Sequence, residues 1–322
     1  MIEVSRTEFY KTVASWEHVP HTQTDTWLRS MTDERNLRYY TDERQPATIA
    51  CAGYVRRKAG MTMLCIGGEC IRNEVSVKQI RDFYDNIDTL GFDIVEINLN
   101  SVYEPEYEVG LRLAGLLRPV GMFSTALSKV VDLTLPLTFD KSWKHNLSQC
   151  EANGLNFRVE VASQEAVERY MGMHNEMTAR KHFDGALSEA QLKGLMSDPR
   201  FVMFIVEDSS GAAVAGRVVY APENGRAVNL YSVTTPAGRR LHASYFLYIN
   251  MFRYLSAQRG TPDFDLGRLA PSKRKKNDVF LFKNGIGGRL VQYNGEWLWC
   301  RRRWMPLMLY FMKKYVWKRV QV

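Results

Sequence analysis

The residues best suited to group-transfer chemistry lie in one stretch near the C-terminal end, residues 263–297. There Lys283 is followed by Gly287 and Gly288, and Asp265 ends a predicted strand. An ammonium group can stabilise the oxyanion that forms when an amine attacks an ester or thioester, and glycines let backbone N–H groups approach a ligand closely. Asp265 could accept a proton from the amine or orient it, or it could cap a turn. Lys283 could equally be a surface lysine at a strand end.

Two basic stretches could attract phosphate groups. Arg180 and Lys181 end a predicted helix, where an arginine can bind two phosphate oxygens through its planar guanidinium. Cations in the last turn of a helix also interact favourably with its dipole, so this alternative stays open. The second stretch is a loop, either phosphate-attracting or merely solvated, with the basic residues Lys273, Arg274, Lys275 and Lys276. Tyr231 and Tyr245 could add hydrogen bonds to a sugar-phosphate, or they could belong to the core.

Several familiar catalytic and cofactor motifs are absent from the sequence. There is no GxxxxGK[ST] phosphate loop, GxGxxG dinucleotide turn, GxSxG nucleophile elbow or HExxH helix. The six histidines lack metal-ligand spacing, so we expect no metal site. The five cysteines are scattered without a CxxC pair, which favours reduced thiols. With no visible signal peptide and no long apolar run, we expect a cytoplasmic protein.

The net charge of +8 is unevenly distributed along the 322 residues. Apolar residues make up 45% of the chain and charged residues 24%, which excludes a disordered or fibrous protein. Residues 263–289 and 296–322 together hold fourteen Lys and Arg against four Asp and Glu. The excess positive charge therefore lies near the C-terminal end, where it would attract the phosphates of a nucleic acid, a nucleotide-linked substrate or an anionic membrane.

The periodicity of apolar residues predicts two α/β halves of similar plan. The first half has predicted strands at Asn36–Thr41, Ala47–Tyr54, Met61–Ile66, Asp93–Leu99 and Val130–Leu135, and helices at Val77–Leu90 and Glu106–Leu117. The second half has predicted helices at Gln164–Lys181 and His242–Gln258, and strands at Phe201–Glu207, Ala212–Tyr220, Ala227–Ser232, Asp263–Leu266 and Asp278–Phe282. Because the order of hairpin, strand, long helix and strand recurs, we expect two similar units joined near Pro136–Lys144.

Several short motifs occur in a characteristic order along most of the chain. They are the segment Gln23–Trp27, K-H-N-L-S with N-G-L five residues later, E-M-T-A-R-K-x-F, A-S-Y-F-L, D-L-G and F-K-x-G-x-G-G before an aromatic strand. No single motif is specific, but together their order and spacing are. In these features the sequence resembles the Fem family of bacterial aminoacyltransferases, which build peptidoglycan cross-bridges.

The resemblance implies a fold and a domain division. Members of the family have two acetyltransferase-like (GNAT-type) domains, so we expect an α/β (α+β) chain with two tandem GNAT-like domains. Each would be a mixed, mostly antiparallel sheet flanked by helices. We expect the first domain at residues 1–138 and the second at 139–297, with residues 298–322 packing back on the first domain.

The resemblance also implies roles for individual residues. Phe282 and Lys283 match the family's catalytic pair at the aminoacyl-donor channel, with Asp265 as a possible proton acceptor. Arg180 matches an arginine that holds the diphosphate of the cell-wall precursor. Other expected substrate contacts are Lys181, Tyr231, Tyr245, Arg268, Gly287 and Gly288. The donor would be charged tRNA, attracted by the basic loop, with no bound cofactor. The acceptor would be a cell-wall or glycan precursor, either free or carried on a lipid.

Two departures from the family pattern concern the substrates. The family's lysine after the early Gln/Trp motif has no clear counterpart, and Arg29 is the nearest basic residue. Arg268 stands where cross-bridge enzymes carry a glycine. An arginine at this position resembles relatives associated with extracellular polysaccharide synthesis. The alternative function is an acyl-CoA-dependent N-acyltransferase in extracellular polysaccharide or lipopolysaccharide synthesis. However, Pro236–Ala243 does not fit the [QR]-x-x-G-x-[GA] turn that holds the pyrophosphate of CoA in such enzymes.

The C-terminal segment Trp304–Val322 mixes aromatic and aliphatic residues with clustered Lys and Arg. Such a segment could lie on the anionic inner surface of a membrane. It could also be the last helix of the fold, with its apolar side on the first domain. A non-catalytic membrane-surface binding module is therefore a second alternative function.

Overall fold

A computed structural model describes residues 1–58, 60–121, 125–181, 187–271 and 278–316 of the chain. Two compact units are present, one comprising Met1–Leu127 with Gln292–Val322 and the other Ser128–Val291. The first boundary lies earlier than the expected 138/139. The reason is that residues 130–132 pair with Asp263–Asp265 and so join the second sheet. The second boundary lies between Val291 and Gln292, before the expected boundary between residues 297 and 298.

The first unit begins with a sheet covered by short helices. Its strands here are β1 (Ile2–Val4), β2 (Leu37–Thr41), β3 (Ile49–Lys58), β4 (Met61–Ile66), β5 (Cys70–Ile71) and β6 (Ile94–Val102). Its helices here are α1 (Arg6–Val13), α2 (Asp25–Met31), α3 (Val77–Tyr84) and α4 (Pro105–Leu113). Strands β1 to β4 pair antiparallel in sequence order, and β4 pairs with β6 in parallel. The predicted hairpin of β3 and β4 is present.

The helix predicted at Val77–Leu90 is shorter than expected. Ser76 caps α3 through a reciprocal capping box with Gln79, and α3 ends at Tyr84. A separate 3-10 turn follows at Ile87–Leu90 and ends at Gly91, which has a φ of 81°. The left-handed conformation of this glycine directs the chain into β6.

The described residues of the second unit form a further set of strands with longer helices. Its strands are β7 (Leu127–Asp132), β8 (Asn156–Glu160), β9 (Phe201–Glu207), β10 (Ala213–Tyr220), β11 (Ala227–Thr234) and β12 (Asp263–Asp265). Its helices are α5 (Lys141–Glu151), α6 (Gln164–Lys181), α7 (Glu189–Met196), α8 (Pro236–Arg240), α9 (Ala243–Arg259) and α10 (Asp278–Asn284). The strand order is β7-β12-β11-β10-β9-β8. Strands β11 and β12 pair in parallel, and the other described pairs in this order are antiparallel. Both units thus have the expected mixed, mostly antiparallel sheet.

The parallel pair of the second sheet is short. Strand β12 pairs with β11 at Ala227 and Val228, while β11 continues to Thr234 along β10. The register between β10 and β11 shifts between Val218 and Val219, and such a bulge increases the local twist. The described pairing of β12 with β11 therefore ends at Asp265 and Val228, and the chain then turns at Gly267 toward Arg268.

The prediction of a strand at Asp278–Phe282 was wrong, because this segment belongs to helix α10. A run of four apolar residues cannot distinguish a strand from a buried helix by period alone. In the structure Phe282 packs on aromatic rings of α5 and α9, whereas Val279 and Leu281 are exposed. One-sided contact of this kind suits a short surface helix.

The last part of the chain belongs to the first unit. Strand β13 (Arg289–Cys300) pairs antiparallel with β6 from Tyr293 to Cys300. Helix α11 (Met305–Phe311) follows and continues into a π-helical turn at Met312–Val316. Met305 and Leu309 are buried against side chains of β4, β6 and β13. Among the described helices, none has the length and apolar character needed to cross a bilayer.

Candidate functional site

Lys283 lies in the last turn of α10, above the turn that follows β12. Its Nζ donates a hydrogen bond to the backbone carbonyl of Arg268 over 3.0 Å. Burial lowers the pKa of Lys283 to about 8, with Asp265 acting against the shift and Arg217 adding to it. A lysine whose charged form is destabilised in this way is poised to interact with a developing negative charge.

The turn beneath Lys283 is fixed by Asp265. Its Oδ1 accepts a hydrogen bond from the backbone N–H of Gly267 at 2.8 Å and another from the buried hydroxyl of Ser128 on β7. Gly267 has a φ of 77°, a left-handed conformation that suits glycine. Asp265 therefore has the turn-capping role that the sequence left open, and its proton-accepting role stays a prediction.

The C-terminal end of α10 is held by two side chains from other elements. Lys129 of β7, a buried lysine, donates from Nζ to the carbonyl of Asn284 at 2.8 Å. Trp143 of α5 donates from Nε1 to the carbonyl of Phe282 at 3.2 Å. Burial lowers the pKa of Lys129, with Asp140 opposing the shift. These contacts satisfy carbonyl groups that a helix end leaves free, so they fix the position of Lys283.

Phe282 belongs to an aromatic cluster beside this turn. Its ring centroid lies 5.0 Å from that of Tyr245 and 5.2 Å from that of Tyr248, both on α9. The hydroxyl of Tyr245 accepts a hydrogen bond from Asn146 Nδ2 at 3.0 Å, and burial raises the pKa of this hydroxyl. Phe282 thus contacts Tyr245, and the adjacent Lys283 lies within electrostatic reach of Asp265. Their roles in a substrate site stay predictions.

Arg217 of β10 is a buried cation that the sequence analysis did not select. Its guanidinium lies 5.1 Å from the ring centroid of Tyr248, and its Nη1 donates to the carbonyls of Gly216 and Val233. Its Nε has no hydrogen-bond partner among the described residues. The sequence does contain a signal for Arg217, which is a single arginine within an otherwise apolar predicted strand. Because a lone charged side chain is rarely buried, such a residue is a candidate for a functional role.

The remaining predicted residues lie on other elements of the second unit. Tyr231 is half-buried on β11, and burial raises its pKa. Arg180 is exposed near the end of α6. The side chain of Lys181 lies outside the described residues, as do Lys273, Arg274, Lys275 and Lys276. No cluster of three or more possible metal ligands occurs among the described residues.

Gly287 and Gly288 serve backbone packing in the structure. The N–H of Gly287 donates to the carbonyl of Thr138 at 2.7 Å. A Cβ on Gly287 would collide with Thr138, and one on Gly288 would collide with the backbone of Val130. Their predicted contact with substrate stays a prediction, but the Gly287 N–H already has a protein partner.

This close packing predicts a stability effect. Gly287→Ala should destabilise the chain by about 2–3 kcal/mol, because the methyl group has no space without a backbone shift. Urea unfolding of the full chain measures the change. Gly194→Ala in α7 is the matched control, since its methyl group would meet nothing within 4 Å and alanine favours a helix. Equal stability of the two variants would contradict the packing role.

Comparison with solved structures identifies the fold. The chain is similar to the crystal structure of FemX, with a TM-score of 0.75 and 11% identity over 96% of this chain and 100% of that one. It is also similar to the C-terminal domain of a putative lysylphosphatidylglycerol synthetase from Agrobacterium fabrum (TM-score 0.61, 14% identity, 96% and 98% covered). A third is a tandem GNAT protein from the clavulanic acid biosynthesis pathway (TM-score 0.56, 9% identity, 93% and 97% covered).

These similarities confirm the predicted tandem GNAT-like fold, the fold that FemX shares. At such low identities they show the fold alone. The sequence matches no protein-family model, and no curated protein matches it significantly.

Proposed function

We propose that the chain is an aminoacyltransferase that moves an aminoacyl group from charged tRNA to an amine of a cell-envelope precursor, peptidoglycan or a related glycan. The observation that carries this proposal is Lys283, a partly desolvated lysine held 3.0 Å from the Arg268 carbonyl beside the end of β12. In the sequence, Lys283 matches the donor-site lysine of Fem-like enzymes, and this resemblance supports the proposal. Similarity of the fold to FemX supports the same class.

The chemistry requires stabilisation of a tetrahedral intermediate. The acceptor amine attacks the ester carbon of the aminoacyl group and forms the new C–N bond, while negative charge develops on the carbonyl oxygen. The Lys283 ammonium stabilises that charge in the transition state. Collapse of the intermediate breaks the ester C–O bond, and the proton lost by the amine ends on the released tRNA hydroxyl. Asp265 acts as a positioning residue, because it fixes the turn on which Lys283 rests.

The start of α8 supports tRNA over acyl-CoA as the donor. Enzymes that use acyl-CoA hold its pyrophosphate with free N–H groups at a helix start. Here Pro236 has no N–H, and the Gly238 N–H donates to the Thr235 hydroxyl at 3.0 Å. Gly238 also packs tightly on the carbonyl of Val214. Few N–H groups therefore remain for a pyrophosphate.

The acceptor is proposed from residue chemistry and from the neighbours. Arg180 is exposed and can bind the diphosphate of a cell-envelope precursor through its guanidinium. One similar structure is named for lysylphosphatidylglycerol, a lipid that carries an aminoacyl group. This supports aminoacyl transfer to a lipid-linked acceptor as the general class.

A donor test decides between the two enzyme classes. Purified protein is compared for binding to tRNA charged with mixed labelled amino acids, to uncharged tRNA and to acetyl-CoA, at one moderate salt concentration because phosphate contacts depend on salt. We expect a preference for charged tRNA over uncharged tRNA and negligible binding of acetyl-CoA. Saturable binding of acetyl-CoA without a tRNA preference would instead establish an acyl-CoA-dependent N-acyltransferase.

A further inference from the structure

The segment of α11 and its flanking turns is apolar on two sides. Met305 and Leu309 face the core of the first unit. A second set of large side chains is 50–69% exposed, and we call it the aromatic stripe: Trp304, Leu307, Phe311, Tyr315 and Val316. Trp304, Leu307, Phe311 and Tyr315 are spaced by three or four residues, which places them along one face of a helix. Val316 directly follows Tyr315. Phe311 and Tyr315 stack with ring centroids 5.8 Å apart, so the stripe is continuous at its C-terminal end.

Exposed cations accompany the aromatic stripe. Arg301, Arg302 and Arg303 are exposed immediately before it. Lys314 is exposed within the segment and donates to the hydroxyl of Tyr310 at 3.0 Å. The sequence contains no acidic residue from Trp297 to Val316. The surface therefore combines large apolar side chains with positive charge, and the segment itself carries no carboxylate.

Lys313 does not belong to this surface although it is adjacent to Lys314. Its side chain is buried, and its Nζ lies 3.0 Å from Glu96 Oε1 of β6. Lys313 therefore anchors the turn to the first unit. The ion pair holds the aromatic stripe outward, because Lys313 continues the buried face of Met305 and Leu309.

We propose that the aromatic stripe, together with Arg301, Arg302, Arg303 and Lys314, binds the surface of an anionic lipid bilayer. A purely apolar partner would account for the aromatic stripe but not for the positive charge around it. That charge is complementary to anionic headgroups. Tryptophan, tyrosine and arginine are suited to the boundary between headgroups and acyl chains. Binding of this kind is peripheral and requires no transmembrane segment. It needs no transfer activity and so does not depend on the proposed function.

Co-sedimentation of the full chain with vesicles tests the proposal. The vesicles are pure phosphatidylcholine or phosphatidylcholine with about one third phosphatidylglycerol, since anionic lipid supplies the attraction. We expect binding to the anionic vesicles and at least tenfold weaker binding to the neutral ones. Binding that is equal for the two, or absent from both, would overturn the proposal.

Two variants and a matched control locate the surface. Replacing Arg301, Arg302 and Arg303 by glutamine should weaken binding to anionic vesicles at least tenfold, and Phe311→Ser should weaken it through the stripe. The control replaces the exposed run Arg56, Arg57 and Lys58 on β3 by glutamine and should leave binding unchanged. Circular dichroism and thermal melting show whether each variant folds. An equal loss in the control, or self-association of the unmodified chain that disappears with Phe311→Ser while vesicle binding persists, would contradict the assignment.

Discussion

Lys283→Ala is expected to reduce aminoacyl transfer by two to three orders of magnitude while the chain stays folded. Loss of one group that stabilises an oxyanion typically costs a factor of about 10²–10³ in rate. The described hydrogen bond of the Lys283 side chain is to a single carbonyl, that of Arg268, and burial disfavours its charged form. Its removal should therefore affect catalysis far more than folding. Single-turnover transfer from the donor identified by the binding test, with a thermal melt, measures both effects.

Lys144→Ala is the matched control for this variant. Lys144 is an exposed lysine of α5 in the same unit, so its loss should leave the rate within about twofold of the unmodified chain, since surface changes are usually small. If Lys283→Ala proves unstable, Lys283→Met keeps an apolar stem in the same space and removes only the charge. Transfer at the normal rate in a folded Lys283 variant would show that this lysine is not the oxyanion-stabilising group.

The second large effect is a fall in transfer as the pH rises through about 8, the pKa of Lys283 in the folded chain. The ammonium form stabilises the oxyanion, so above this pH the ratio of the single-turnover rate to that of Lys283→Met should decrease about tenfold per pH unit. Titration of the acceptor amine, which must be neutral to attack, affects both proteins and cancels in this ratio. The same shift affects stability in the opposite sense. Between about 8 and the ordinary value of 10.5 the unfolded chain binds more protons at this lysine, so its contribution to the free energy of unfolding increases with pH.

Arg217→Met tests whether Lys283 causes the fall in rate at high pH, which is the alkaline limb of the pH–rate profile. The guanidinium of Arg217 contributes to the lowered pKa of Lys283, so its removal should move the limb to higher pH. Methionine fills the space beside Tyr248 without a charge. Arg253→Met, at an exposed position of α9, should leave the limb where it is. A limb that does not move in Arg217→Met, or that moves equally in both variants, would mean that another group titrates.

Much of the fold could be predicted from apolar periodicity. The hairpin of β9 and β10 and the long helices α6 and α9 follow the pattern to within one residue at each end. The failures occur where the local pattern is short. Four apolar residues at 279–282 form a helix because Phe282 packs on one side against the rings of α5 and α9. Strand β7 joins the second unit through its pairing with β12, which depends on a distant segment.

By itself the sequence indicated the candidate chemistry of this protein. Asp265, Lys283 and the positive charge near one end depend on residue type and position, whereas Phe282 and much of the argument for Lys283 depend on the resemblance to the Fem family. Only the tertiary structure decided which groups surround Lys283, because Ser128, Lys129 and Arg217 are far from it in sequence and approach through sheet pairing and helix packing. Burial, which lowers the pKa of Lys283, is likewise a property of the assembled unit. The same holds at the C-terminal end, where packing against β6 buries Lys313 beside Glu96 and leaves the adjacent Lys314 exposed.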